Sequence, residues 1–177
     1  IKRPEQALFG TKLGELIKVF SFVLKGETSE VMKCVRILTR IQDPAEIMEQ
    51  TTSQGRYILK TAQHMWKEYD DLLARAKTDG KKKSKILLFV YDGKNSFTKD
   101  LSNELLYLFP KRVIVVGRKK SGSVKMSVRS AKHSLPKVLD EAFKGVDGYG
   151  GGHEHACGAS VNENDFERFL EQLKKAL

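Results

Sequence analysis

The sequence predicts an α/β chain. A helical N-terminal connector over residues 1–76 is followed, over 77–177, by a small mixed β-sheet domain flanked by helices. Three observations predict this. Apolar residues recur at 3–4 spacing through residues 5–76. Ile86–Tyr91 and Val113–Val116 are continuous apolar runs, as in buried strands. Ser123–Arg129 alternates apolar and polar residues, the period of a strand.

In chain order, Leu13, Leu16, Ile17, Phe20 and Leu24 form the apolar stripe of a first helix, which Gly26 can end. Thr28 or Ser29 caps a second, with Val31, Cys34, Val35 and Leu38 as its stripe. Asp43 caps a third, and Pro44 fits its first turn. This helix runs to about Ala76 despite Thr51, Thr52, Ser53 and Gly55. Ile58, Ala62, Met65, Tyr69 and Leu72 form its stripe. Trp66 is expected to pack against a neighbour, and His64 to lie on the surface.

Asp79-Gly80 and the lysines that follow mark a boundary. Beyond it the order reads β-α-β-β-α-loop-β-α. Ser96 caps a helix containing Leu101, Leu105, Leu106 and Leu108, stopped by Pro110. Ser123–Arg129 is a half-exposed strand with Val124, Met126 and Val128 on one face. Lys125, Ser127 and Arg129 form an outward polar row on the other. A helix starts near Pro136. The glycine-rich stretch after it reads as a loop, with a short strand near Ala159–Val161. The last helix is capped by Asn162 or Asn164, with Phe166, Phe169, Leu170, Leu173 and Leu177 as its stripe.

The composition is globular: 177 residues, 40% hydrophobic and 31% charged. No apolar run reaches the ~20 residues that span a bilayer, and no cleavable leader precedes a small-residue site. The two cysteines, Cys34 and Cys157, cannot frame a disulfide scaffold, so a reduced, cytoplasmic setting is expected. The chain starts at Ile1 without an initiator Met, which is read as a piece of a longer protein.

The formal net charge of +10 is unevenly placed. Residues 77–132 carry 15 basic and 4 acidic groups, whereas residues 133–177 are net acidic. The excess includes Lys81, Lys82, Lys83 and Lys85, then Arg118, Lys119, Lys120, Lys125, Arg129 and Lys132. Such a cluster implies an anionic partner, most commonly nucleic acid. A membrane surface is not expected, because no amphipathic basic helix accompanies the cluster.

Six glycines fall within residues 145–158. Gly150, Gly151 and Gly152 in a row allow positive φ and close backbone approach, as in an anion-binding nest, and His153 adds a donor. The bland alternative is a tight loop without a ligand. His153, His155 and Cys157 would share one face of a strand as nitrogen and thiolate ligands, but no further ligand sits at familiar spacing. His155 reads instead as a core or supporting group, and Cys157 as a small buried residue. Arg129 lies on the polar face of its strand beside Ser130, where a guanidinium fork could hold a phosphate.

Together, Ser127-Val128-Arg129-Ser130, an intervening helix, Gly150-Gly151-Gly152-His153 and then Ala156-Cys157-Gly158 resemble the C-terminal, DHH-associated substrate-binding domain of DHH-family phosphoesterases. That family includes RecJ-type single-strand exonucleases, oligonucleotide-degrading nucleases and cyclic-dinucleotide phosphodiesterases. The resemblance covers about residues 84–177. Residues 1–76 resemble, less specifically, the connector of RecJ-like proteins. Cys157 departs from the alanine usual there.

The resemblance implies that Gly150, Gly151, Gly152 and His153 contact a substrate phosphate, and that Arg129 and Ser130 line the same cleft. Lys119, Lys120, Lys125 and Lys132 would follow a nucleic-acid backbone. Partners would be single-stranded DNA or RNA, or short oligonucleotides, together with the DHH catalytic domain in cis or in trans. The family's reaction uses paired Mn²⁺ or Mg²⁺ ions held by Asp and His residues of that catalytic domain. No Asp-His-His occurs in this sequence. The chain is therefore expected to contain no catalytic residue, to bind no metal and to be inactive alone. One alternative is a non-catalytic RecJ-like subunit contacting a replisome protein. Another is a tRNA-binding domain like that of alanyl-tRNA synthetase, which usually lacks the histidine found here as His153.

Overall fold

The computed structural model describes residues 4–80 and 83–177. Lys81 and Lys82 lie outside the described residues. The chain divides into two compact units, 1–71 and 72–177. The α/β class, with a helical part followed by a mixed sheet flanked by helices, is as the sequence predicts. No helix among the described residues is long and apolar enough to cross a membrane.

The first unit is helical: α1 (Pro4–Gly10), α2 (Lys12–Val23), α3 (Thr28–Leu38), α4 (Ala45–Met48) and the first part of α5 (Ser53–Asp79). The expected first helix begins with a break at Thr11, whose hydroxyl accepts from the Gly14 N–H at 3.3 Å. Its buried face is also not the leucine stripe. Gly14, Val19, Phe22 and Val23 are buried, while Leu13, Ile17, Phe20 and Leu24 are exposed. Gly14 decides this, because a Cβ there would lie 2.1 Å from the Leu8 carbonyl oxygen. Only glycine lets α1 approach on that side, so the helix turns its other apolar residues outward.

Neither Thr28 nor Ser29 caps α3. Glu27 holds the cap position with no side-chain bond. The predicted long third helix breaks at residues 49–52, where Gln50 has φ 57°. Asp43 Oδ1 accepts from Ala45 N–H at 2.8 Å. The Glu46 carboxylate accepts from Gln42 N–H at 2.7 Å, Asp43 N–H at 3.1 Å and the Thr52 hydroxyl at 2.9 Å, fastening the bend. Gly55 then lets α5 pass the α4 backbone; a Cβ would lie 1.8 Å from Glu46 O. Ile58, Ala62 and Tyr69 are buried on α5 as predicted. Trp66 meets Phe22 edge-on with ring centroids 5.9 Å apart.

The second unit is built on a five-stranded sheet of order β1-β2-β3-β5-β4. Its strands are β1 (Ile86–Asp92), β2 (Val113–Lys120), β3 (Ser123–Arg129), β4 (Gly148–His153) and β5 (Ala156–Asn162). Only β1 and β2 pair in parallel, across the crossover helix α6 (Thr98–Leu108). The glycine-rich stretch is therefore not a loop, and the following strand is longer than predicted. Gly148–His153 is an edge strand hairpinned to β5. Pairing with β5 supplies the order that glycine lacks intrinsically.

One face of the sheet is closed by α7 (Leu135–Ala142) and α8 (Phe166–Ala176). Val115, Met126, Val128, Cys157 and Val161 meet Leu139, Phe169, Leu170 and Leu173 there. Each fully buried side chain of this size contributes about 1.5–3 kcal/mol. Asn162 caps a short 3₁₀ turn before α8 by accepting from the Asn164 N–H at 3.0 Å.

The other face is covered by α6 over part of its width. Ser96 does not cap this helix. Phe97 holds that position, fully buried, with its N–H bonded to the Tyr91 hydroxyl at 2.7 Å. The polar row of β3 is correspondingly not all outward. Ser127 is buried and donates to Thr98 Oγ1 at 3.3 Å.

Candidate functional site

Strand register places the candidate residues. Arg129, Ala156 and His153 are successive partners across β3, β5 and β4, so they form one row. Ser127, Gly158 and Gly151 form the next row two residues along. Because side chains alternate along a strand, both rows share one sheet face. The hydrogen bonds from Ser127 and Arg129 to α6 identify it as the α6 face. Among the described residues this face is open on β5 and β4, where Gly158, Gly151, His153 and Tyr149 are all exposed.

Arg129 stands where cover gives way to open sheet. Its Nε donates to Asn103 Oδ1 at 2.9 Å. Its Nη1 donates to the carbonyl oxygens of Val128 at 2.9 Å and Cys157 at 3.2 Å. Burial pushes its pKa down from the ordinary guanidinium value, while the neighbouring Cys157 thiol pushes it up. The guanidinium still remains charged at neutral pH. Among the described residues its partners are all neutral, and no carboxylate pairs with it. A half-buried cation fixed by neutral acceptors favours an incoming anion.

The three consecutive glycines have different causes. A Cβ on Gly150 would sit 2.7 Å from Phe143, a core ring. Gly152 has φ +150°, and a Cβ would lie 2.5 Å from the Ala156 carbonyl oxygen. Both are glycine for internal reasons. Gly151 is not: a Cβ there meets nothing within 4 Å. Gly158, directly opposite, would meet only Met126 O at 3.9 Å. These two therefore leave bare backbone in the row beside Arg129, Ala156 and His153. A Cβ would fill that cradle without disturbing the fold. The expected nest of successive positive-φ residues does not form, because Gly150 and Gly151 are extended strand.

The remaining candidates separate. Ser130 is 1% exposed, and its hydroxyl accepts from the N–H groups of Lys132 and His133 at 3.2 and 3.0 Å. Its own N–H donates to His155 O at 3.1 Å, tying β3 to the hairpin turn. Lys125 and Lys120 share the Arg129 face by register, whereas Lys119 falls on the opposite one. Lys132 lies exposed in the loop after β3.

The shared-face reading of His153, His155 and Cys157 fails. The turn at Glu154-His155 places His153 on the open face and Cys157, partner of Gly152, on the core face. His155 is exposed on that turn, not in the core. Cys157 is buried as expected, and its thiol donates to His153 O at 3.3 Å. Among the described residues, no three His, Cys, Asp or Glu side chains cluster so as to hold a metal ion.

Sequence reasoning missed Asn103 and the burial of Arg118. Asn103 is 26 residues from Arg129, and a helix-surface Asn carries no local signal. Arg118 follows an apolar strand run and reads as its exposed end, yet it is 8% exposed.

The DHHA1 domain family matches residues 82–177. No curated protein sequence matches the chain. Among solved structures, the chain is similar to RecJ in complex with Mn²⁺ from Thermus thermophilus. The TM-score is 0.61 at 18% identity, covering 97% of this chain and 24% of that one. It is also similar to a pGpG-specific phosphodiesterase, PggH, from Vibrio cholerae, with TM-score 0.60 at 12% identity, covering 97% and 60%. An exonuclease RecJ bound to manganese gives TM-score 0.55 at 15% identity, covering 92% and 44%. The chain thus spans from under a quarter to three fifths of these proteins, and identities this low establish a shared fold. The family match covers more than half of the sequence and includes every residue of the open sheet face: the chain belongs to the DHHA1 domain family.

Proposed function

We propose that the open face of the sheet binds a phosphate of a single-stranded nucleic acid or oligonucleotide, as the substrate-binding part of a RecJ-like DHH phosphoesterase. The observation that carries this reading is the bare backbone of Gly151 and Gly158, in the row beside an uncompensated Arg129 and an exposed His153. The guanidinium offers charge and fixed donor geometry. The glycines let a phosphate lie against the sheet, and His153 supplies a further donor at the open end. Ser130 acts as a positioning residue, holding the hairpin turn against the end of β3.

Paired Mn²⁺ or Mg²⁺ ions would supply the hydrolytic chemistry in such an enzyme. The described residues of this chain do not fit that role, since no ligand cluster forms. The proposed role here is to hold and orient the strand while a catalytic domain, in cis or in trans, attacks it. Lys120 and Lys125 add electrostatic attraction on the same face, and Lys132 adds it from the loop.

The test is titration of a labelled single-stranded oligonucleotide with the chain and with His153→Ala, at two salt concentrations. Salt-sensitive binding weakened by the substitution supports the reading. Binding that ignores both the salt and His153 rejects it. A titration against folded tRNA, run in parallel, separates the synthetase-type alternative.

A specific observation favours a second reading for residues 1–71. Leu13, Ile17 and Phe20 on α2, with Leu24 at its C-cap, form a solvent-exposed apolar stripe. Such a stripe fits a protein partner of the replisome kind. Leu13→Glu with Phe20→Glu would then abolish partner capture while leaving oligonucleotide affinity unchanged.

A further inference from the structure

Arg118 and Lys125 are direct partners across β2 and β3, on the same face as Arg129. Like charges placed opposite each other destabilise an antiparallel pair. Here one of the two is also buried, Arg118 being 8% exposed. Its Nη1 donates to the Lys94 carbonyl oxygen at 2.7 Å, and among the described residues its buried Nε has no hydrogen-bond partner. Among the described residues no carboxylate pairs with either cation. The fold therefore maintains two facing positive charges and an orphaned donor with nothing to balance them. Desolvating a charge in this way is costly unless a counter-charge arrives.

The same row continues outward to Ser160 and Tyr149. Tyr149 is 73% exposed, a bare aromatic ring at the sheet edge. An aromatic surface beside paired cations suits a base and its phosphate. Arg129 and Lys125 stand four residues apart on β3, about 13 Å along the strand. Because Asn103, Val128 and Cys157 tie the Arg129 guanidinium to its own row, the two rows offer separate positions.

We propose that exposed Lys125, backed by the buried charge of Arg118, forms a second phosphate position, with Tyr149 as a stacking platform for the adjoining base. The open face would then take an oligonucleotide segment bearing at least two phosphates, not a single phosphodiester. This rests on the reading of Arg129, Gly151 and His153 as the first position.

The test is an NMR titration of the isotope-labelled 177-residue chain with two probes. One is a thymidine dinucleotide with a single internal phosphate, and the other a thymidine tetranucleotide with three. The dinucleotide is expected to move the Gly151 and Gly158 amides and Arg129 Nε–H, and to leave Arg118 Nε–H in place. The tetranucleotide is expected to move both sets. Lys125→Gln, an exposed substitution, should weaken the tetranucleotide about fivefold, the size of one exposed charge contact. The loss for the dinucleotide should be smaller, because at the first position Lys125 acts only as screened, longer-range attraction.

If the tetranucleotide moves only the first set, or Lys125→Gln leaves its affinity unchanged, the second position is rejected and the first stands. If the dinucleotide moves both sets equally, the division into two positions is rejected. If neither probe moves the Gly151 and Arg129 signals, the first position fails, and the two-position proposal fails with it.

Discussion

Asn103 Oδ1 accepts a hydrogen bond from Arg129 Nε at 2.9 Å, joining α6 to the end of β3 across 26 residues. This contact orients the guanidinium without neutralising it. Asn103→Ala is expected to leave the fold intact and weaken oligonucleotide binding several-fold. Asn103→Asp should weaken it more, by about tenfold or beyond, because a carboxylate would compensate the charge that draws the anion. Equal losses in the two variants, measured by titration at fixed salt, would show that Asn103 acts only through shape.

The glycine run provides a paired test. Gly151→Ala should fold with wild-type stability and lose affinity, since its Cβ enters open space where the proposed phosphate would lie. Gly152→Ala should destabilise the second unit by roughly 1–3 kcal/mol through its φ of +150° and the Ala156 carbonyl. Thermal unfolding and oligonucleotide titration of both variants distinguish a ligand-determined glycine from a packing-determined one.

Arg129→Gln should lower the slope of log affinity against log salt by about 0.7, as expected for one lost phosphate contact on a single strand. Arg129→Lys should restore most of the slope but not the affinity, because an ammonium cannot reproduce the fork. Affinities at four salt concentrations give both quantities.

In the first unit, Glu46 should make stability depend on acid. Backbone N–H donors of Gln42 and Asp43, then the Thr52 hydroxyl, hold its pKa below 4.5. Its contribution is therefore complete above pH of about 4.5 and is lost as the pH falls through its lower folded value. Glu46→Gln should lower the urea midpoint at pH 7 and converge with wild type once the pH falls below the folded pKa of Glu46. A difference independent of pH would place the effect in packing instead.

Both thiols should be inert in the folded chain. Burial pushes the pKa of Cys34 and of Cys157 above 9.0, and neither is accessible. A thiol reagent at pH 8 should report no reactive cysteine until denaturant is added.

Much of the second unit was legible in the sequence because its strands carry strong patterns. The runs Ile86–Tyr91 and Val113–Val116 fix two buried strands, and the alternation from Val124 to Val128 fixes a third. β4 was not legible, since four of its six residues are glycine and its strand form comes from pairing with β5. The α2 face was misread for a related reason. Periodicity reports which residues are apolar, while the clash at Gly14 decides which side a neighbour can reach. At the site, Arg129 and the glycines stand out locally. Asn103 and the burial of Arg118 depend on how α6 and the loop before it lie over the sheet, which no local pattern encodes.

The exposed position of β4 has one more effect. An edge strand offers its free backbone groups to any other extended segment, and flat apolar edges therefore invite self-association. Here the edge is mainly glycine, which is disfavoured in strands and gives an added strand almost no side-chain surface to grip. The composition that bares the backbone also makes this edge a poor template for aggregation. Replacing those glycines with valine or isoleucine would fill the cradle and turn a quiet edge into an adhesive one.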